Sequence, residues 1–120
     1  MTVKRNTPGF EHARELIADR RIVFDEPGAW GGHQPSAREC IDFIAAHGWG
    51  AYTRWHLGVD EAQPVHTRAR YRFPIGDFRD VHRCAIRAAE ADADRRGYEE
   101  IRGAAGFLDA LLDTVRAKSG

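Results

Sequence analysis

Residues 77–118, DFRDVHRCAIRAAEADADRRGYEEIRGAAGFLDALLDTVRAK, decide the fold because they carry the strongest helical periodicity in the chain. Apolar residues recur every three or four positions over 98–116, which predicts an amphipathic helix. Gly97 separates it from an alanine-rich helix predicted over 77–96, with Asp77 as the cap. A single glycine between two helices predicts an antiparallel helical hairpin.

The amino-terminal half carries two further helix signals. Residues 36–39, SARE, form a capping box that predicts a helix over 36–47. Thr7 followed by Pro8 predicts the cap and first position of an earlier helix. Between the two helices, residues 25–35 are rich in glycine and proline, which indicates a loop.

Three short segments are candidates for β-strands. Residues 70–73, RYRF, alternate polar and apolar side chains, as an exposed strand does. The segments 22–24 and 54–59 are apolar or aromatic and fit a strand or another short element. We therefore expect a mainly α protein, with α+β as the variant. It forms a single domain over 1–120, with four helices and at most a two- or three-stranded β patch from 22–24, 54–59 and 69–74.

Composition excludes several classes of function. The 120 residues include 18 basic and 18 acidic side chains, and this balance argues against a nucleic-acid or anionic-membrane binder and allows a homodimer. No apolar run approaches the roughly 20 residues of a membrane span. Cys40 and Cys84 are too few for a disulfide framework, so we expect a cytoplasmic protein with free thiols. The preference for Arg over Lys is typical of a GC-rich bacterial genome.

The segment 68–87 is rich in arginine and is the first candidate for a binding site. Guanidinium groups beside a helix start suit an anionic ligand, with Asp77 as the helix cap. The proposed donors are Arg70, Arg72 and Arg83. Alternatively, these arginines pair with the acidic segment 88–113, as charge runs often do.

His82 is the best single candidate for catalysis. On the predicted helix it lies on the apolar face within the first turns, where burial and the helix dipole favour a neutral imidazole. Such a group can act as a general base. Its predicted assistants are Asp80 or Asp77 as the orienting acid and Tyr71 or an arginine as the oxyanion donor. Trp49, Tyr52 and Trp55 would form a pocket for an apolar substrate. The alternative is a packed histidine that binds a backbone carbonyl or an Asp.

Metal binding is not predicted, and neither is a cofactor. The six histidines show no paired spacing, and His82 and Cys84, two residues apart on a presumed helix, should diverge. Cys84 lies on the apolar face, where a thiol is usually inert packing.

Residues 55–60, WHLGVD, and 70–84, RYRFPIGDFRDVHRC, resemble a family of short bacterial proteins of uncharacterised function. In that family a W-x-L-G-x-D segment precedes a Y-x-F-P-x-G-D-F-x-x-V-H-R stretch and an alanine-rich helix pair. The resemblance spans about 20–115, and it implies no particular activity. Residues 91–94, ADAD, depart from it where an Arg-Ala pair is expected.

These observations predict a small soluble binding or accessory protein whose 68–87 surface meets a small anionic ligand or a protein partner. One alternative is a small cofactor-independent enzyme that uses His82 as its base. The other is a structural module in which the helical hairpin forms a dimer interface.

Overall fold

The computed structural model describes residues 3–119 of the chain. The helices are α1 (Thr7–Ala18), α2 (Trp30–His33), α3 (Ala37–Thr53), α4 (Arg83–Arg96) and α5 (Glu99–Ser119). The strands are β1 (Val3–Arg5), β2 (Ile22–Val23), β3 (His56–Asp60), β4 (Tyr71–Pro74) and β5 (Val81–His82), and a 3-10 turn, Arg68–Arg70, precedes β4. The expected helix-rich class with a small β component is confirmed. The described residues form five helices instead of four because the predicted loop contains the one-turn helix α2.

Helices α4 and α5 form the predicted hairpin. Gly97 adopts the left-handed conformation (φ 74°), which glycine accepts without strain, and its N–H bonds the last carbonyls of α4. The chain turns back there, so that Ala89 and Ala93 of α4 are buried in the same core as Ala105 and Leu108 of α5. Alanines at the contact let the two helices approach closely. Among the described residues, no helix is long and apolar enough to cross a membrane.

Two small sheets replace the single β patch expected from the sequence. Strands β1, β3 and β4 form an antiparallel sheet, in which β3 lies in the centre. Strand β2 instead pairs in parallel with β5, with Ile22 opposite Val81 and Val23 opposite His82. The expected pairing of 22–24 with the two other segments is therefore wrong. A two-residue strand has no periodicity, so its partner is set by tertiary contacts and not by local pattern.

The helix predicted to begin at Asp77 begins at Arg83 instead. The Asp77 carboxylate accepts hydrogen bonds from the N–H groups of Arg79 and Asp80, which closes a turn. Phe78 then takes a positive φ of 71°, which a helix cannot contain, and the chain enters β5. Aspartate favours turns as well as helix caps, and here the turn is what forms.

The amino-terminal helices follow the sequence signals more closely. The capping box between Ser36 and Glu39 is present in both directions, which confirms that signal. Helix α3 kinks at Gly48, where the predicted helix stops, but helical turns resume and continue to Thr53. The cap position of α1 belongs to Asn6 and not to Thr7, and the Asn6 amide donates to backbone carbonyls at Thr53 and His56.

Gly9 marks the closest approach of α1 to the central strand β3. A Cβ at this position would overlap the backbone carbonyl of His56, which the sheet holds in place. We predict that Gly9→Ala lowers the free energy of unfolding by about 2–3 kcal/mol, because the helix must move away from the sheet. Urea unfolding followed by circular dichroism measures the change.

Gly103→Ala in α5 is the matched control, because no atom lies within 4 Å of an added Cβ there. It should be neutral or stabilise the protein by up to about 1 kcal/mol through helix propensity. Equal effects of the two substitutions would contradict the close approach of α1 to β3.

Candidate functional site

The buried carboxylate of Asp25 is the centre of the most concentrated group of polar side chains. Because Val23 pairs with His82 in the parallel β2–β5 ladder, Asp25 comes to lie beside Cys84 at the start of α4. Asp25 Oδ1 accepts the backbone N–H of Cys84 at 2.8 Å. Its Oδ2 lies 2.7 Å from His82 Nδ1, 2.8 Å from His33 Nδ1 and 2.9 Å from the Cys84 thiol. One carboxylate oxygen thus faces three side-chain donors.

Helix α2 brings His33 to this group across the glycine-rich loop. Trp30, at the start of α2, is buried against Cys84 and Ala85 and anchors the loop to α4. One turn later the His33 ring lies 5.6 Å from the His82 ring, between centroids. The burial of Trp30 thus indicates that it docks the loop onto α4.

His82 lies between two carboxylates. Its Nδ1 faces Asp25, and its buried Nε2 lies 3.0 Å from Asp77 Oδ2, although the N–H is not aligned well enough for a hydrogen bond. Burial favours the neutral ring, but Asp77 and Asp25 together outweigh it and raise the pKa of His82. The burial that favours a neutral imidazole is therefore opposed by two negative charges, because His82 belongs to a strand that faces Asp25 and Asp77.

The protonation of Asp25 and Cys84 follows from the same contacts. Burial alone would raise the pKa of Asp25, but hydrogen bonds from Cys84, His33 and His82 hold it well below its usual range. Burial and the adjacent Asp25 charge raise the pKa of the Cys84 thiol to about 12. In this state Asp25 is an anion, and Cys84 is a neutral thiol that donates to it.

The four side chains have the donor types and the spacing of a metal site. One ligand atom from each of Asp25, His33, His82 and Cys84 can be chosen so that all four lie within 4.8 Å of one another. Ligand atoms of a tetrahedral zinc ion are separated by about 3.3–3.6 Å, from bond lengths of about 2.0–2.3 Å. The three contacts of Asp25 Oδ2, at 2.7–2.9 Å, are shorter than this, and the whole set lies within 4.8 Å, so the four side chains would have to rearrange around an ion.

Sequence reasoning missed this group for an identifiable reason. His82 and Cys84 were expected to diverge on a helix, but His82 ends β5 and Cys84 begins α4, so both face Asp25. Asp25 and His33 come from the segment interpreted only as a loop. No local spacing signals the group, because the β2–β5 pairing assembles it.

The arginines proposed as anion donors have separate partners. Buried Arg83 binds the carboxylates of Asp109 and Asp113 on α5, as the charge-pairing alternative predicts. Arg70 donates to the backbone carbonyl of Gln63. Arg72 stacks over the rings of Phe73 and Tyr98, and it is the one of the three arginines that lines a groove with Trp30.

The predicted catalytic residues do not assemble around His82. Asp80 pairs with Arg21 at 3.0 Å, so Asp77 is the acid that faces the His82 ring. Tyr71 lies elsewhere, in a cavity described below. The group of His82, Asp80 and Tyr71 therefore does not form a catalytic site in the structure.

Of the three aromatic residues expected to form one pocket, Trp49 and Tyr52 are in edge-to-face contact, with ring centroids 5.8 Å apart, whereas Trp55 lies in the core. Trp49 stacks on His66, and Trp55 is buried in the core against His12 and Phe78. Tyr52 lines a cavity of about 170 Å³, which we call the aromatic cavity. Its walls are Gln34, Pro35, Cys40, Tyr52, His56, Tyr71, Pro74, Gly76 and Phe78.

No protein-family model, curated protein or solved structure matches this chain. The resemblance to short bacterial proteins therefore stays a prediction.

Arg83 allows a test of the structural role of the pairing between α4 and α5. We predict that Asp109→Ala lowers the free energy of unfolding by about 1–3 kcal/mol, because it leaves the buried Arg83 with one carboxylate and takes a partner from Arg87. Asp42→Ala, which removes the exposed Arg38–Asp42 pair on α3, should change it by less than about 0.5 kcal/mol. Urea unfolding measures the change in the free energy of unfolding for both variants. Equally small changes would contradict a structural role for Arg83.

His56 provides a pH-dependent prediction. Burial lowers its pKa from 6.5 to about 4, although a hydrogen bond to the Tyr52 carbonyl acts in the opposite direction. The unfolded chain therefore binds this proton first, and the stability that neutral His56 contributes above pH 6.5 is lost as the pH falls towards 4. We expect a loss on the order of 3 kcal/mol over this range.

Urea unfolding between pH 7 and pH 4 measures this loss in the wild type and in His56→Phe. The variant cannot take up this proton. Between pH 7 and pH 4 its free energy of unfolding should therefore fall by about 3 kcal/mol less than that of the wild type. Identical slopes would show that His56 is not held neutral.

Proposed function

We propose that this protein binds a divalent transition metal, with Zn²⁺ as the best fit, through Asp25, His33, His82 and Cys84. The observation that carries the proposal is the convergence of four metal-binding side chains from three separate parts of the chain, of which His82 and Cys84 are buried and His33 is exposed.

The chemistry of the donors selects the metal. Thiolate and imidazole are ligands of zinc and related transition metals, whereas Ca²⁺ and Mg²⁺ require oxygen ligands. A set of one Asp, two His and one Cys completes a tetrahedral zinc site. Four protein ligands leave no position for substrate, which is the arrangement of a structural site and not of a catalytic one.

Asp77 supports the proposal from outside the group. A histidine that binds a metal through one nitrogen usually donates its other N–H to a carboxylate, which fixes the ring and increases its basicity. His82 Nδ1 faces the group, and Asp77 Oδ2 lies 3.0 Å from Nε2. Asp77 is therefore close enough to support a metal-bound His82, although the ring or the carboxylate would have to turn to align the hydrogen bond.

Binding must displace protons, because a metal takes the thiolate of Cys84 and the bare Nδ1 of each histidine. One metal cation would replace the donor protons of His33, His82 and Cys84 that now lie against Asp25 Oδ2. The ion thus supplies the positive charge that this buried carboxylate requires. It would fasten β2 and α2 to the start of α4, which is a structural role.

Other functions have less support from the site. A general-base role for His82 is disfavoured because both ring nitrogens face carboxylates and the side chain is 8% exposed. Cys40 and Cys84 are both free thiols, and a thiolate metal site is compatible with the reducing cytoplasm predicted from the sequence.

Cobalt spectroscopy tests the proposal directly. Co²⁺ added to the reduced protein should give a thiolate-to-cobalt charge-transfer band and the visible bands of tetrahedral cobalt, and Zn²⁺ should displace it. We predict that Cys84→Ser abolishes the charge-transfer band and that His33→Ala weakens Zn²⁺ binding at least about tenfold.

Cys40→Ser is the matched control, because it removes the other thiol and none of the four ligands. It should keep the band and the affinity. A band that persists in Cys84→Ser, or that depends on Cys40, would overturn the proposed site.

A further inference from the structure

We propose that the aromatic cavity binds a neutral single-ring aromatic molecule that carries an O–H or N–H donor, as phenol does. The cavity lies between α3, the β3–β4 pair and residues 34–35, which follow α2. None of the four proposed metal ligands lines it. The inference is thus independent of the metal site.

His56 supplies the polar recognition group. The residue is 5% exposed, and its Nδ1 lies 2.9 Å from the Tyr52 backbone carbonyl. A carbonyl only accepts hydrogen bonds, so Nδ1 carries the ring proton, and the second nitrogen, Nε2, is an acceptor. Among the described residues Nε2 has no hydrogen-bond partner. Protein atoms do not fully enclose Nε2, and His56 lines the cavity, so a ligand there can donate a hydrogen bond to this acceptor.

Rings form the rest of the binding surface. Tyr52 lies 4.5 Å from the His56 ring and 5.8 Å from the Tyr71 ring, between centroids, and its plane is nearly perpendicular to that of Tyr71. The Phe78 ring lies 5.9 Å from Tyr52. These rings offer both faces and edges, and an aromatic guest gains from edge-to-face and offset contacts with them.

Charge and size narrow the class of ligand. No Asp, Glu, Lys or Arg is among the described residues that line the cavity, so an ionised guest would lose its hydration without gaining a partner. Burial and the adjacent Cys40 raise the pKa of Tyr52, which keeps its hydroxyl neutral. A volume of about 170 Å³ accommodates one ring, since apolar cavities of about 150 Å³ bind benzene.

The test compares phenol with anisole, which has the same ring but no donor. Ring signals of the three tyrosines are followed by NMR at pH 7 during titration of the full chain with each compound. Phenol should shift Tyr52 and Tyr71 and leave Tyr98, which packs on Phe73 near the α4–α5 turn, unchanged. We expect phenol to bind at least about fivefold more tightly than anisole, because anisole leaves Nε2 unsatisfied.

His56→Phe should remove the preference for phenol, because it replaces the acceptor with a ring of similar size. His47→Phe, at an exposed position of α3, is the matched control and should retain the preference. Three outcomes would overturn the proposal: no shift of Tyr52 and Tyr71 at millimolar phenol, equal affinities of the wild type for the two compounds, or a preference retained in His56→Phe. The comparison of phenol with anisole on the wild-type protein tests the proposal even if a variant does not fold.

Discussion

The Asp25 carboxylate is the contact on which the arrangement of the site depends. Its Oδ1 accepts the N–H of Cys84 in the first turn of α4, where an anion is favoured by the helix dipole. Its Oδ2 faces donors from His33, His82 and Cys84. A buried carboxylate is stable only when its charge is compensated. The strand β2, the helix α2 and the β5–α4 junction are therefore held together around one negative charge.

The same junction fixes the orientation of α4 against α5. Because α4 begins at Arg83, that guanidinium is directed towards the acidic face of α5, where Asp109 and Asp113 bind it. Arg87, one turn later, reaches Asp109 as well. Arg83 and Arg87 thus serve the packing of the hairpin. Arg83, which forms the structural ion pair, and His82, which belongs to the candidate metal site, are neighbours in the chain.

The sequence predicts the parts of the fold that depend on local signals. The hairpin with its Gly97 turn and the Ser36 capping box follow from helical periodicity and cap chemistry, which act within a few residues. The start of α4 was wrong because Asp77 fits a helix cap and a turn equally well. Only the positive φ of Phe78 and the pairing of β5 distinguish the two.

The candidate site was less accessible to sequence reasoning than the fold. The sequence predicts a functional role for His82, but it does so from a position on a helix, whereas the structure places His82 in strand β5. Its actual partners, Asp25 and His33, lie about fifty residues earlier in a loop without metal-ligand spacing. A two-residue parallel ladder brings them together, and no local pattern records such a pairing. Likewise, Tyr52 and Tyr71 were chosen for separate roles and meet in one cavity with His56.

The loop between β2 and α3 connects the two proposed sites. Asp25 and His33 of this segment belong to the proposed metal site, and Gln34 and Pro35, which directly follow His33, form part of the wall of the aromatic cavity. An ion held by His33 would also restrain the next two residues. Since Trp30 already anchors the middle of this loop on α4, the ion would leave little freedom in the segment that borders the cavity. Metal binding would thereby order the wall of the cavity without contacting its ligand.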